Sequence, residues 1–194
     1  MAKYLPLLLF VFFQNTFAQS YDYGRDTVLM DGGRCYYIKD RLGFAFDFVN
    51  SAYTLYDQQM TDFQGNVIHT GEYYGSGVVI DSFWQAFTET FTEEEIAVMR
   101  DANPRTIIYI FVTKDNTGKA LEVVFTVWKR PGVINLPPER WAQYEQNIKT
   151  YLRWNGITED ERNAPFSHHF YRIDKRDLVR RFAVLPDVEP INPM

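Results

Sequence analysis

The sequence predicts an α+β fold: an antiparallel sheet with two helices packed on it and an N-terminal β-meander. Three observations predict it. Two runs of high β propensity, Thr106 to Thr113 and Ala120 to Trp128, flank the polar turn Lys114-Asp115-Asn116-Thr117-Gly118-Lys119. A capped helix start at Thr92 and a longer helical repeat after Pro137-Pro138 stand on either side of that hairpin. Upstream of Thr92, short apolar runs rich in Tyr and Phe are separated by turn signals.

Taken in order, the first element is not part of the fold. Met1-Ala2-Lys3 carries one positive charge, Leu5 to Phe13 is apolar apart from a proline, and Thr16-Phe17-Ala18 places small residues before a cut after Ala18. That is the layout of a secretory signal peptide, too short for the ~20 residues that span a bilayer. The expected organisation is therefore a leader over 1–18, a single α+β domain over 19–185 and a loose tail over 186–194. Within the domain, residues 20–88 read as β-rich, 92–154 as αββα and 166–185 as a closing segment. Export to the periplasm or the outside follows, with no transmembrane span after the leader is removed.

Arg34 to Lys39 and Phe44 to Val49 read as a hairpin through Asp40-Arg41-Leu42-Gly43, where Gly43 takes the left-handed position. Tyr53 to Tyr56 and Val67 to Thr70 flank a polar stretch ending in Gly65-Asn66, which suggests a second pairing. In Thr92-Glu93-Glu94-Glu95 the threonine caps a short helix and the glutamate three residues on closes a capping box. Phe91, Ile96 and Met99 supply its buried stripe, and Asn103-Pro104 stops it. Of the hairpin strands, the first is apolar on both faces and is expected to be central, while Leu121, Val123, Phe125 and Val127 share one face of the second. The long helix repeats Trp141, Tyr144, Ile148, Tyr151 and Leu152 at helical spacing, pairs Glu145 with Lys149 on its surface, and ends at Asn155-Gly156. Phe170 to Ile173 and Leu178 to Leu185 add a further strand or short helix.

Composition bounds function more than it reveals it. The chain has 194 residues, 46% hydrophobic and 23% charged, with one cysteine and three histidines. A single cysteine excludes an intramolecular disulfide, a four-cysteine zinc site and a CxxC redox pair. A formal charge of −5, one unit more acidic once Lys3 leaves with the leader, argues against general nucleic-acid binding, which needs a basic face.

Helix, hairpin and helix from Thr92 to about Trp154 resemble the αββα(β) layout of TonB C-terminal-like domains. The hairpin turn Lys114 to Lys119 and the helix before Tyr151-Leu152-Arg153-Trp154 carry that resemblance. With a leader ending Phe17-Ala18-Gln19, the whole chain is similar to small uncharacterised secreted proteins of Bacteroidetes. The resemblance implies a cell-envelope location and no particular activity.

Candidate chemistry is sparse. Cys35, in Arg34-Cys35-Tyr36-Tyr37, reads as a small buried hydrophobe; a nucleophile there needs His69, His168 or His169 beside it as a base. Neighbouring His168 and His169 point to opposite faces of a strand, which disfavours a shared metal and leaves a surface or capping role. Gly71-Glu72-Tyr73-Tyr74-Gly75-Ser76-Gly77 has neither the GxGxxG nor the GxSxG spacing and reads as a turn. Arg172, Lys175, Arg176, Arg180 and Arg181, interrupted by Asp174 and Asp177, form either a solvated face or a contact for an anionic partner.

Aromatics make up 17% of the chain. Tyr21, Tyr23, Tyr36, Tyr37, Tyr53, Tyr56, Tyr73, Tyr74 and Trp84 gather in its first half, where sugar-stacking or protein-anchoring surfaces are built. The candidate binding residues are thus Tyr36, Tyr37, Tyr73, Tyr74, Trp84, Arg172, Arg176, Arg180 and Arg181. No catalytic, metal or cofactor site is predicted. The expected function is non-catalytic binding of a protein or cell-envelope component. Its alternative, a glycan binder or glycan-processing protein, requires two of Asp47, Asp57 and Asp62 to face each other ~5–10 Å apart.

Overall fold

The computed structural model describes residues 27–67, 79–102, 106–113, 118–130, 132–154 and 165–185. In chain order these form β1 (Thr27–Asp31), β2 (Arg34–Arg41), β3 (Ala45–Asn50), α1 (Ile80–Thr88), α2 (Glu93–Asp101), β4 (Thr106–Thr113), β5 (Ala120–Trp128), α3 (Pro138–Tyr151), β6 (Phe166–Ile173) and α4 (Lys175–Arg181). All six strands join one antiparallel sheet in the order β1-β2-β3-β5-β4-β6. The α+β expectation holds, and the pairing of β3 with β5 fuses the N-terminal meander and the later hairpin into a single sheet. As expected of an interior strand, β4 is flanked on both sides, by β5 and β6. The leader, Tyr21, Tyr23, Asn103-Pro104, turn residues 114–117, Asn155-Gly156 and the tail 186–194 lie outside the described residues.

Apolar alternation on the strands meets helical stripes on one face of the sheet. Tyr36, Ile38, Phe46, Phe48, Val123, Phe125 and Val127 are buried there against Trp141, Tyr144 and Ile148 of α3 and Phe83 and Phe87 of α1. Phe125 and Tyr144 stack with ring centroids 5.2 Å apart, and Phe91 meets Trp141 edge-on at 5.6 Å. Leu121 departs from the expected stripe, being 39% exposed near the end of β5. Helix α2 starts as expected: Glu95 N donates to Thr92 Oγ1, and Thr92 N donates back to Glu95 Oε2.

Helix α1 falls within the stretch read as β-rich. Its sequence carries β-prone Phe and Trp, and no side chain caps its start. Burial of Phe83, Trp84, Ala86 and Phe87 on one side decides the helix against that propensity. The second pairing expected over 53–70 reduces to an isolated bridge between Thr61 and Val67, with 68–70 outside the described residues. Residues 53–56 serve another purpose. Glu122, 7% exposed, accepts backbone N–H bonds from Thr54 and Leu55 on Oε1 and from Leu55 and Tyr56 on Oε2, at 2.8–3.1 Å. This carboxylate fastens residues 51–67 across the second face, where Val49, Met60, Val124 and Phe166 are buried.

The expected surface pair Glu145–Lys149 is also corrected. Glu145 is 1% exposed and lies under α3, where Tyr36 Oη and Gln146 Nε2 each donate to its Oε2 at 2.7 Å. Lys149 Nζ approaches Oε1 at 3.3 Å, and Arg34 Nε donates to Tyr36 Oη at 3.0 Å. A buried carboxylate persists only when so partnered. Burial, reinforced by the Glu145 carboxylate, pushes the Tyr36 hydroxyl well above the usual tyrosine range.

Candidate functional site

The basic run in the sequence is divided by the sheet. Lys175, Arg176, Arg180 and Arg181 belong to α4, whose Leu178 is fully buried in the helix-side core. Asp174 caps this helix, accepting from Arg176 N at 2.8 Å and Asp177 N at 3.3 Å, while Asp177 Oδ2 accepts from Asp174 N. Arg176 beside it holds the Asp174 carboxyl below its usual range. Both acids that interrupt the run serve the helix start, Asp174 also pairing with Arg176 at 3.0 Å, and the arginines stay exposed. Arg181 reaches Asp81 at 3.4 Å and lies 5.9 Å from the Trp84 ring. Buried Arg100 of α2 donates to the carbonyls of Phe182 and Leu185, which fixes the chain beyond α4.

Arg172 points elsewhere. On β6 the helix-side residues are Tyr171 and Ile173, so alternation turns Arg172 to the opposite face. The register aligns Arg172 with Ile107, Thr126, Asp47 and Lys39 in one row across five strands. Toward the β2–β3 turn this face carries exposed Lys39 and Arg172 beside buried Thr126. Arg41 Nε donates to Asp47 Oδ2 at 2.6 Å and Thr126 Oγ1 donates to Asp47 Oδ1 at 2.7 Å. Phe44 packs on Trp128 at 5.4 Å and Arg130 lies 5.9 Å from the Trp128 ring, while Lys129 pairs with Asp40, which stands opposite Phe46 on the helix side.

The aromatic candidates separate in the same way. Tyr36 is fully buried and Trp84 is 5% exposed, so neither offers a stacking surface: both serve the helix-side core. Tyr37, one position on from Tyr36, is 42% exposed on the other face with Lys39 Nζ 5.8 Å from its ring. Tyr73 and Tyr74, with His69 and the rest of Gly71–Gly77, lie outside the described residues. Sequence reasoning missed Phe44 and Trp128 as surface aromatics, because each sits in an apolar run that reads as core.

His168 and His169 do take opposite faces, but neither is a surface residue. His169 is 2% exposed, hydrogen-bonded to Ser167 Oγ at 2.8 Å and packed 3.9 Å from the Trp154 ring. His168 is half-buried beneath residues 51–67, stacked on Phe166 at 5.2 Å; burial lowers its pKa, against a backbone hydrogen bond with Leu55. Cys35 is a half-buried free thiol rather than a fully buried one. Among the carboxylates of the glycan alternative, Asp62 accepts from Gln64 N, Asn66 N and Asn66 Nδ2 within its own turn, and Asp47 holds Arg41 and Thr126. Among the described residues no group of three or more His, Cys, Asp and Glu is placed to hold a metal ion. No described helix is long and apolar enough to cross a membrane.

No protein-family model matches the chain, and no curated protein matches it in sequence. Among solved structures, the crystal structure of a DUF5043 family protein from Bacteroides uniformis is similar, with a TM-score of 0.61 at 16% identity, covering 78% of this chain and 92% of that one. This likeness is one of fold, and it lends nothing to the TonB-like layout. The chain thus shares its architecture with an uncharacterised Bacteroidetes domain.

Proposed function

We propose that this protein is a non-catalytic domain of the cell envelope that binds an anionic envelope component through exposed cations at one end of its sheet. The observation that supports this reading is the arrangement of charge around α4. Asp174 and Asp177 are hydrogen-bonded into the helix start, while Arg176, Arg180 and Arg181 stay exposed on a helix anchored by Leu178. An acidic protein that keeps its arginines outward at one place presents a local positive field to an anionic surface. Export follows from the leader-like first 18 residues.

The full chain is expected to bind vesicles or beads carrying anionic groups, and to release them as salt is raised from about 0.05 to 0.5 M, since exposed pairs are screened over that range. Charge reversal at Arg176→Glu and Arg180→Glu should weaken binding several-fold with an unchanged circular dichroism spectrum. Binding that ignores both salt and charge reversal overturns the proposal.

A further inference from the structure

The turn joining β2 to β3 is built against ordinary turn chemistry. Leu42 has φ 51° and Gly43 φ 81°, with Phe44 N donating to the Arg41 carbonyl at 3.2 Å. Two central residues at positive φ form the pattern of a type I′ turn, which favours Asn, Asp or Gly in both places. Leucine there is held in a strained backbone conformation. Leu42 is nevertheless the one non-glycine residue at positive φ among the described residues, and at 90% exposure it gains no burial in return. Phe44 follows at 48% exposure, packed on Trp128.

Cations surround this apolar tip. Arg41, Lys129 and Arg130 flank it, and Lys39 and Arg172 extend the same face across four strand spacings, about 19 Å. Among the described residues they outnumber the carboxylates nearby, Asp40 and Asp47, which are bonded to Lys129 and Arg41. Apolar side chains at a convex apex, an aromatic pair behind them and a cationic border together match the boundary of an anionic bilayer: Leu and Phe enter the acyl edge, Trp lies at headgroup level, and the cations meet phosphates.

We infer that the β2–β3 turn is a membrane-docking tip, with Leu42 and Phe44 inserting into the interface of a bilayer that carries anionic headgroups, and Lys39, Arg130 and Arg172 contacting those headgroups. This rests on the anionic-binding reading above and names the lipid surface as the partner. A protein partner would need a pocket to receive the tip, whereas a bilayer deforms around it.

Leu42→Asn separates a structural role from a docking one. Asn tolerates the left-handed conformation, so the variant should keep or raise the melting temperature while losing vesicle affinity roughly tenfold, the loss expected for withdrawing one leucine from an apolar phase. Co-sedimentation of the full chain with phosphatidylcholine vesicles, with and without phosphatidylglycerol, reads the affinity, and Phe44→Ser should reproduce the loss. Wild-type affinity in both variants overturns the inference. Binding to anionic beads without binding to vesicles also overturns it, pointing to a soluble or protein partner and leaving the broader reading intact. Failure to bind either surface removes both.

Discussion

On one face of the sheet, α1 and α3 interlock with Phe46, Phe48 and Phe125 through Trp141, Tyr144 and Phe87, ring against ring. On the other face, irregular residues 51–67 cover Val49, Val124 and Phe166 and are fastened by the carboxylate of Glu122. The first face is held by apolar area shared among many side chains. The second depends on a small apolar cluster and one polar anchor, and toward the β2–β3 turn it leaves Tyr37, Lys39, Phe44 and Arg172 exposed. A fold closed in two such ways should respond to damage unequally, globally on one face and locally on the other.

Trp141→Ala should have the largest effect. Trp141 is 1% exposed and touches Phe46, Phe91 and Phe125. Its truncation should cost about 3–5 kcal/mol in urea unfolding and depress protection of backbone amides across the whole sheet. Loss confined to α3 would break the view of a single shared core.

Glu122→Gln comes next. An amide keeps the shape but turns a donor toward backbone N–H groups, at a cost of about 1.5–3 kcal/mol. Hydrogen exchange at Thr54, Leu55 and Tyr56 should accelerate while amides of β5 stay protected. Uniform acceleration would show that the two faces unfold together.

The smallest effect is a pH dependence on the second face. Burial lowers the His168 pKa below its unfolded value of about 6.5. Its neutral form therefore contributes stability that is fully present above about pH 6.5 and is lost as pH falls through the folded value. The urea midpoint should decline as pH falls below about 6.5, and His168→Gln should flatten that decline. An unchanged slope would place the acid sensitivity elsewhere.

Local signals were legible wherever the responsible residues are neighbours in sequence. Thr92 and Glu95 announce their capping box, and Gly43 announces the left-handed turn. Glu145 shows the opposite case. Its i,i+4 spacing to Lys149 reads as a solvated pair, yet Tyr36, 109 positions away, donates to it at 2.7 Å. Trp84 and Tyr36 look like surface aromatics in a Tyr-rich stretch, because period and propensity do not report which face a later helix will cover. The basic run reads as one patch, but strand alternation sends Arg172 to the face opposite α4.

The class of fold and most element types, β1 and α1 excepted, were readable from the residues alone, since they follow from caps, turns and hydrophobic period within short windows. Only the tertiary structure decided which side of the sheet the helices occupy, and with it which aromatics are core and which carboxylates hold the chain in place. It also left Leu42, Phe44 and Trp128 near solvent. The reason is physical: burial is fixed by pairings such as β3 with β5, between segments whose contact no local pattern encodes.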